Sequence, residues 1–190
     1  MPRCVAEIAR SAADVVCLQE VDLRLHASLS NALKKAGYAC LPVQPRCRGV
    51  IASFGVSSSK FKVSERMQDG AMIAYKTSAL SLIESWPEHL CASTPHGDQP
   101  DGCAAAAASF RHEATGKVFA IASLHLRPAA DAVRCSAMVH MKTRMQDRVV
   151  EKCGNVDAVF LCGDFNGFPG AVGSLLCSLL QQCDARCVGG

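Results

Sequence analysis

The sequence predicts a layered α/β domain in which helices cover mixed sheets. Apolar runs of strand length are interleaved with amphipathic segments of helical period. Hydrophobic residues make up 49% of the chain and charged residues 19%, a balance typical of folded globular proteins. Because 190 residues suffice for one sizeable core but not comfortably for two, residues 1–190 are predicted to form a single domain.

The chain is predicted to begin with a helix, a strand and a second helix. An amphipathic helix over residues 5–13 leads into an apolar strand over residues 14–19. The second helix covers residues 25–36 and ends at Gly37, because glycine readily takes the left-handed conformation that closes many helices.

Two hairpins are predicted in the middle of the chain. Residues 71–76 and 80–85 have the pattern of the first, and residues 104–112 and 118–126 that of the second. Between them, residues 86–102 contain three prolines together with Asp, Gly and Ser. This composition predicts a surface loop.

The clearest helix of the sequence covers residues 130–151. Apolar residues recur there at four-residue spacing, which predicts one buried face. The members of that face are Val133, Ala137, Met141, Met145 and Val149. A strand over residues 156–162 and a last helix over residues 172–182 complete the predicted elements.

Three apolar runs end in side chains that carry chemistry. The first ends in Glu20, the second in His125, and the third in Asp164 and Asn166. Because strand side chains alternate between faces, Asp164 and Asn166 are expected to emerge on the same side. A carboxylate, an imidazole and an Asp/Asn pair at strand ends suit metal-assisted phosphoester hydrolysis.

Each of these residues also has an ordinary structural explanation. A lone Glu20 is most simply a charged residue at a strand end, and a lone His125 a structural histidine. The sequence from Gly163 to Asn166 is also typical of an Asx turn that ends a strand for conformational reasons. The presence of all three groups in one domain favours the functional interpretation.

The ordered motifs resemble those of the endonuclease/exonuclease/phosphatase superfamily. These motifs are Leu-Gln-Glu at residues 18–20, His-Leu at 125–126 and Gly-Asp-Phe-Asn at 163–166. The Asp-Gly and strand at 69–76 are similar to the deadenylase and nocturnin-like branch. The resemblance covers most of the chain, and it implies two packed mixed β-sheets flanked by helices. It also implies a Mg²⁺-dependent phosphoester hydrolase.

The resemblance assigns a role to each residue at the strand ends. It makes Glu20 the ligand of Mg²⁺, for which Mn²⁺ is an alternative, and carboxylate oxygen suits this hard ion. Asp164 would orient and deprotonate the attacking water. Asn166 would donate to the phosphoryl oxygen, and His125 to another phosphate oxygen. Asp164, Asn166 and His125 are therefore the predicted catalytic residues.

Two further residues are predicted to bind substrate. Arg127 lies two positions after His125, on the same strand face, where a guanidinium can hold phosphate. Asp69 lies near the substrate by resemblance, although solvation of a loop explains it equally well. The substrate classes implied are poly(A) RNA, as for a deadenylase, or an adenine nucleotide, as for a nocturnin-type phosphatase.

The sequence departs from the family pattern at both ends. The family has an Asn on a strand before the Leu-Gln-Glu strand, but the asparagines here are Asn31, Asn155 and Asn166. It also has a terminal Asp-His pair, and no histidine follows His140. Three explanations are open: a fragment, an active enzyme completed by other residues, or a catalytically incomplete binding module. We favour a fragment, because the retained motifs match well.

The net charge, the cysteines and the length of the apolar stretches bear on the class of protein. A formal net charge of +3 does not identify a nucleic-acid binder. Several of the twelve cysteines lie inside apolar runs, which predicts reduced thiols, and their spacing is not that of structural zinc sites. The apolar stretches are too short to span a bilayer and no signal peptide is evident, so a cytoplasmic protein without membrane contact is expected.

Overall fold

Helices and strands alternate along the chain in the computed structural model, which describes residues 2–45, 69–94, 97–126 and 131–166. In chain order the elements are α1 (Pro2–Ser11), β1 (Val15–Asp22), α2 (His26–Lys35), β2 (Tyr38–Cys40), β3 (Gln44–Pro45), β4 (Asp69–Lys76), β5 (Leu80–Thr94), β6 (Gly97–His112), β7 (Val118–His125), α3 (Asp131–Cys153) and β8 (Ala158–Asp164). The predicted last helix, over residues 172–182, lies outside the described residues.

The strands form two sheets. In the first sheet β4 lies between β1 and β2 and also pairs with β3, and these pairings are antiparallel. In the second sheet the order is β5-β6-β7-β8. Its first two pairings are antiparallel, whereas β7 and β8 run parallel. The helix α3 makes the long connection that a parallel pair requires.

Apolar side chains on both faces of each sheet hold four layers together. Between the sheets, Ile73 from β4 and Phe110 from β6 belong to one buried cluster. On the outer face of the first sheet, Leu33 of α2 packs with Met72 of β4. On the outer face of the second, Met141 of α3 packs with strands β5, β6 and β7. The predicted fold class, two packed sheets flanked by helices, is confirmed.

Two predictions about the middle of the chain are wrong. Strand β4 does not pair with β5, because the turn at residues 77–79 carries the chain from the first sheet to the second. Residues 86–94 and 97–102 do not form the predicted surface loop but belong to β5 and β6, which pair antiparallel. Pro87 is tolerated because β5 is the edge strand of the described sheet, and Pro100 lies on β6 before the part of that strand that pairs with β7.

The other predicted elements agree with the structure. The hairpin of β6 and β7 and the three helices are present. Gly37 has φ +89°, the left-handed conformation expected at the end of α2. In α3 the side chains of Ala137, Met141, Met145 and Val149 are buried, as the four-residue spacing predicts. Among the helices of the described part of the chain, none combines the length and the apolar character needed to cross a bilayer.

Candidate functional site

Three strands bring the predicted catalytic residues to one edge of the sandwich. His125 and Asp164 are register partners at the ends of the parallel strands β7 and β8. Strand β1, which carries Glu20 near its end, packs against both of these strands across the two sheets. We call Glu20, His125, Asp164 and Asn166 the rim.

The imidazole of His125 lies between the two carboxylates of the rim. Its Nδ1 is 3.9 Å from Glu20 Oε1, and its Nε2 is 3.8 Å from Asp164 Oδ2. Both distances are longer than a hydrogen bond. The His125 side chain is 13% exposed, whereas those of Glu20 and Asp164 are 67% and 56% exposed. A nearly buried imidazole is therefore flanked by two carboxylates that solvent or a ligand can reach.

Asp164 and Asn166 form the turn that the conformational alternative predicted. The backbone N–H of Asn166 donates to Asp164 Oδ1 at 2.8 Å, which is an Asx turn. Asn166 has φ +47°, and its side-chain Nδ2 donates to the Leu126 carbonyl at 2.6 Å. One Nδ2 hydrogen of Asn166 thus holds the turn against β7. The amide group carries a second hydrogen that a substrate oxygen could accept.

Gly163 explains why glycine precedes the acid at the end of β8. It has φ +143°, a conformation that residues with a Cβ rarely adopt. A Cβ at this position would also overlap the backbone carbonyl of Leu124 on β7. The missing side chain therefore lets β8 approach β7 closely one residue before Asp164.

A β-bulge positions Glu20. The register of β1 against β4 shifts between Leu18 and Val21, so one extra residue is accommodated there. Glu20 itself has φ +54°, in the left-handed region. The preceding Gln19 donates its side-chain amide to Ser123 Oγ at 2.9 Å, and that hydroxyl donates to the Leu18 carbonyl at 3.0 Å.

Sequence reasoning missed the contribution of Gln19 and Ser123. Ser123 is fully buried on β7, and it links the strand that carries His125 to the strand that carries Glu20. One signal was available: Ser123 is a polar residue inside an apolar run, two positions before His125 and hence on the same strand face.

Of the two residues predicted to bind substrate, the structure describes Asp69 but not Arg127. Asp69 pairs with Asp22 in the ladder of β4 and β1, so it lies at the end of the sheet where β1 finishes. Asp22 accepts hydrogen bonds from the side chain and backbone of Arg24, which lower the pKa of that carboxyl to about 2. Arg127 lies outside the described residues.

Two thiols lie just behind the rim. Cys17 of β1 and Cys162 of β8 pack against the same buried cluster between the sheets. A hydrogen bond from the Cys17 thiol lowers the pKa of Cys162 to about 7. The same hydrogen bond, together with burial, raises the pKa of Cys17. Free thiols, as predicted for cysteines inside apolar runs, are seen at Cys17, Cys135 and Cys162, and Cys40, Cys153 and the exposed Cys4 are free as well.

The carboxylate oxygens of the rim are of the type that binds Mg²⁺ in proteins. Within the part of the chain that the structure describes, no three His, Cys, Asp or Glu side chains form a metal-binding cluster. Mg²⁺ is usually bound through one or two carboxylates and keeps several waters, so an exposed carboxylate such as Glu20 is compatible with it.

Comparison with known proteins identifies the family of the chain. The model of the endonuclease/exonuclease/phosphatase family matches residues 3–177. Protein angel homolog 2 from Bos taurus is 25% identical over 176 residues, which cover 90% of this chain and 29% of that protein. The chain therefore spans less than a third of this relative's length.

Two solved structures share the fold. The catalytic domain of human nocturnin, with bound sulfate, superposes with a TM-score of 0.70 at 22% identity, over 93% of this chain and 60% of that one. ANGEL2, described as a 2′,3′-cyclic phosphatase, was solved with adenosine-2′,3′-vanadate and gives a TM-score of 0.65 at 23% identity, over 90% of this chain and 44% of that one. The motifs, the fold and the family match agree, and the chain belongs to the endonuclease/exonuclease/phosphatase family.

Proposed function

We propose that this chain is the site-bearing part of a Mg²⁺-dependent phosphoester hydrolase. The observation that carries the proposal is the position of the His125 imidazole, within 4 Å of the carboxylates of Glu20 and Asp164 at the ends of three strands. Hydrolysis of a phosphoester needs a group that accepts a proton from water and groups that stabilise negative charge on the phosphate. The rim supplies both types of group.

Asp164 is the proposed base. Its Oδ1 accepts the Asn166 backbone N–H, which fixes the orientation of the carboxylate. Its Oδ2, which lies 3.8 Å from His125 Nε2, would accept the proton of the attacking water. His125 and the second amide hydrogen of Asn166 would donate to phosphate oxygens as negative charge develops.

Glu20 is the proposed metal ligand. A Mg²⁺ ion bound there would neutralise charge on the phosphate and so favour attack by water. The high exposure of the Glu20 side chain leaves room for the waters that this ion retains. Mn²⁺ would bind the same oxygen ligand.

The proposed substrates are phosphoesters of RNA or of adenine nucleotides. The support comes from the relatives, because one of them, ANGEL2, was solved with an adenosine-2′,3′-vanadate and is described as a 2′,3′-cyclic phosphatase. None of the four rim residues is a Phe, Tyr or Trp, and the His125 side chain is only 13% exposed, so the rim itself offers little surface on which a base could stack. Recognition of the base would therefore involve residues other than the four of the rim.

A second candidate is a binding module that does not catalyse hydrolysis. The observation that favours it is the lack of a three-residue metal-binding cluster in the described ranges. Such a module would bind a phosphate-bearing ligand at the rim without turnover. This candidate differs from the hydrolase only in the fate of the bound ligand, so one experiment separates them.

The test measures hydrolysis of poly(A) RNA, adenosine 2′,3′-cyclic phosphate and NADPH with Mg²⁺. It uses the 190-residue chain and the same chain extended in both directions on its source transcript. We expect the extended protein to hydrolyse at least one substrate. Asp164→Asn should lower the rate about 10²- to 10⁴-fold, because the amide keeps the shape of the side chain but cannot accept the proton.

Asp147→Asn is the matched control, since it makes the same chemical change at an exposed position of α3. Its activity should equal that of the unmodified protein. Equal losses in the two variants would contradict the role of Asp164. An extended protein that binds one of these ligands without hydrolysing it would favour the binding module.

A further inference from the structure

We propose that Ser123 is a positioning residue, whose buried hydroxyl holds the β1 bulge so that Glu20 stands beside His125. The inference rests on the proposed function, because it concerns the geometry of the proposed metal ligand. It does not make Ser123 a catalytic residue, since Ser123 is fully buried and its hydroxyl bonds to Gln19 and to the Leu18 carbonyl of β1.

The bulge leaves the position of Glu20 weakly determined by its own sheet. The ladder between β1 and β4 is interrupted between Leu18 and Val21, and a bulge disrupts the local hydrogen bonds that would hold a strand residue. Glu20 also has a left-handed backbone, which for a residue with a Cβ persists only when the surroundings impose it. A constraint from outside the sheet is therefore required.

Ser123 provides that constraint from the opposite sheet. Its Oγ accepts the Gln19 Nε2–H at 2.9 Å and donates to the Leu18 carbonyl at 3.0 Å. These bonds hold the two residues that immediately precede Glu20. A hydroxyl can donate and accept at once, so a single side chain holds both a backbone and a side-chain group of β1.

The position of Ser123 on β7 couples Glu20 to His125. Ser123 and His125 lie two residues apart on one strand and therefore on the same face. The bonds from Ser123 to β1 thus set the separation of the two strands immediately behind the rim. The 3.9 Å distance between His125 Nδ1 and Glu20 Oε1 is what this contact would maintain.

The test compares Ser123→Ala with Ser109→Ala. Ser109 is an equally buried serine of the same sheet, on β6, opposite Ala120 and therefore five residues from His125 along β7. Both variants remove one buried hydroxyl, so a general loss of stability affects both. Gln19→Met, at a half-buried position, removes the same contact from the other side and serves if Ser123→Ala fails to fold.

The first measurement is amide hydrogen exchange of the 190-residue chain by ¹⁵N NMR. We expect the amides of Glu20 and Val21 to exchange about tenfold faster in Ser123→Ala and in Gln19→Met, since each variant removes a hydrogen bond that holds the bulge. Ser109→Ala should leave them unchanged. Equal exchange of these two amides in all variants would overturn the inference.

The second measurement is the Mn²⁺ concentration that half-broadens the amide signals around Glu20. Loss of a residue that orients a metal ligand typically costs about 10- to 100-fold in affinity, and we expect that increase for Ser123→Ala but not for Ser109→Ala. If Mn²⁺ broadens no signal at the rim of the unmodified chain, the metal assignment fails. A faster exchange confined to the bulge would still support the positioning role in that case. A metal dependence that changes equally in both serine variants would count against it.

Discussion

The strands β1 and β8 are regular at one end and irregular at the other. Near their starts, Val15 pairs with Tyr75 and Phe119 with Ala158 in unbroken register. Phe110 contacts the rings of both Tyr75 and Phe119, with centroids 4.9 and 5.7 Å apart. At the end near the rim, β1 contains a bulge and Glu20 with positive φ, β8 contains Gly163 with positive φ, and Asn166, just after β8, has positive φ as well.

The difference indicates where the fold accepts unfavourable conformations. Left-handed residues other than glycine cost about 1–2 kcal/mol each, and they persist only where the surrounding structure over-determines them. The regular, apolar part of the sheets supplies that surrounding structure. The rim gains exposed carboxylates and a fixed imidazole in return, which are the features that its proposed chemistry needs. Four changes test this contrast, from the largest expected effect to the smallest.

The largest effect is expected when one carbon is added at the rim. Gly163→Ala places a Cβ against the Leu124 carbonyl in a backbone conformation that alanine disfavours. We expect the free energy of unfolding to fall by about 4 kcal/mol, an exceptionally large loss, because strain at a special backbone site is one of the few mechanisms that cause losses of this size. Urea denaturation measures it. A loss below about 1 kcal/mol would show that β8 can move away from β7 at little cost.

The second effect concerns the thiols behind the rim. Cys162 has a pKa of about 7, so its alkylation by iodoacetamide should rise with pH and reach half its maximum near that value. In Cys17→Ala the hydrogen bond is lost, and the midpoint should move up toward the ordinary thiol value of 9.0. Mass spectrometry of the peptide that contains Cys162 reports this thiol separately from the others. An unchanged midpoint in the variant would contradict the role assigned to Cys17.

The third effect concerns the removal of one carbon from the regular, apolar core between the two sheets. Ile73 is fully buried between the sheets on β4. Ile73→Val should lower the free energy of unfolding by about 1 kcal/mol, since neighbouring side chains can partly fill the space. The hydrolysis rate of the extended protein should stay the same. If Ile73→Val lowered the free energy of unfolding as much as Gly163→Ala, the regular core and the rim end of the strands would not differ in their sensitivity to substitution.

The smallest effect on stability is expected at Glu20 itself. Glu20→Gly relieves the left-handed conformation but adds chain entropy to the unfolded state. The free energy of unfolding should therefore be unchanged or rise by up to about 1 kcal/mol, while Mg²⁺-dependent hydrolysis is lost. Thermal unfolding measures the change in stability, and the activity assay on the same preparation measures the loss of hydrolysis. A clear loss of stability would mean that Glu20 supports the fold rather than only the chemistry.

Local pattern was sufficient for much of the fold. The apolar spacing of residues 130–151 predicted the face of α3 that is buried, and the apolar runs at residues 104–112 and 118–126 predicted the hairpin of β6 and β7. It failed where the chain changes sheets. The turn at residues 77–79 resembles a hairpin turn locally, but β4 and β5 pair with different partners. Partner choice depends on strands distant in the sequence, which local pattern does not report.

The sequence by itself determined which groups are available, because Glu20, His125, Asp164 and Asn166 each follow an apolar run that must be buried. Only the tertiary structure decided how these groups meet. The parallel pairing of β7 and β8 aligns His125 with Asp164, and the packing of the two sheets brings Glu20 to the other side of the imidazole. The bond between Gln19 and Ser123 also belongs to this level, since 104 residues separate its partners along the chain. Strand order, sheet packing and the bulge are long-range properties, so they become visible only in the folded molecule.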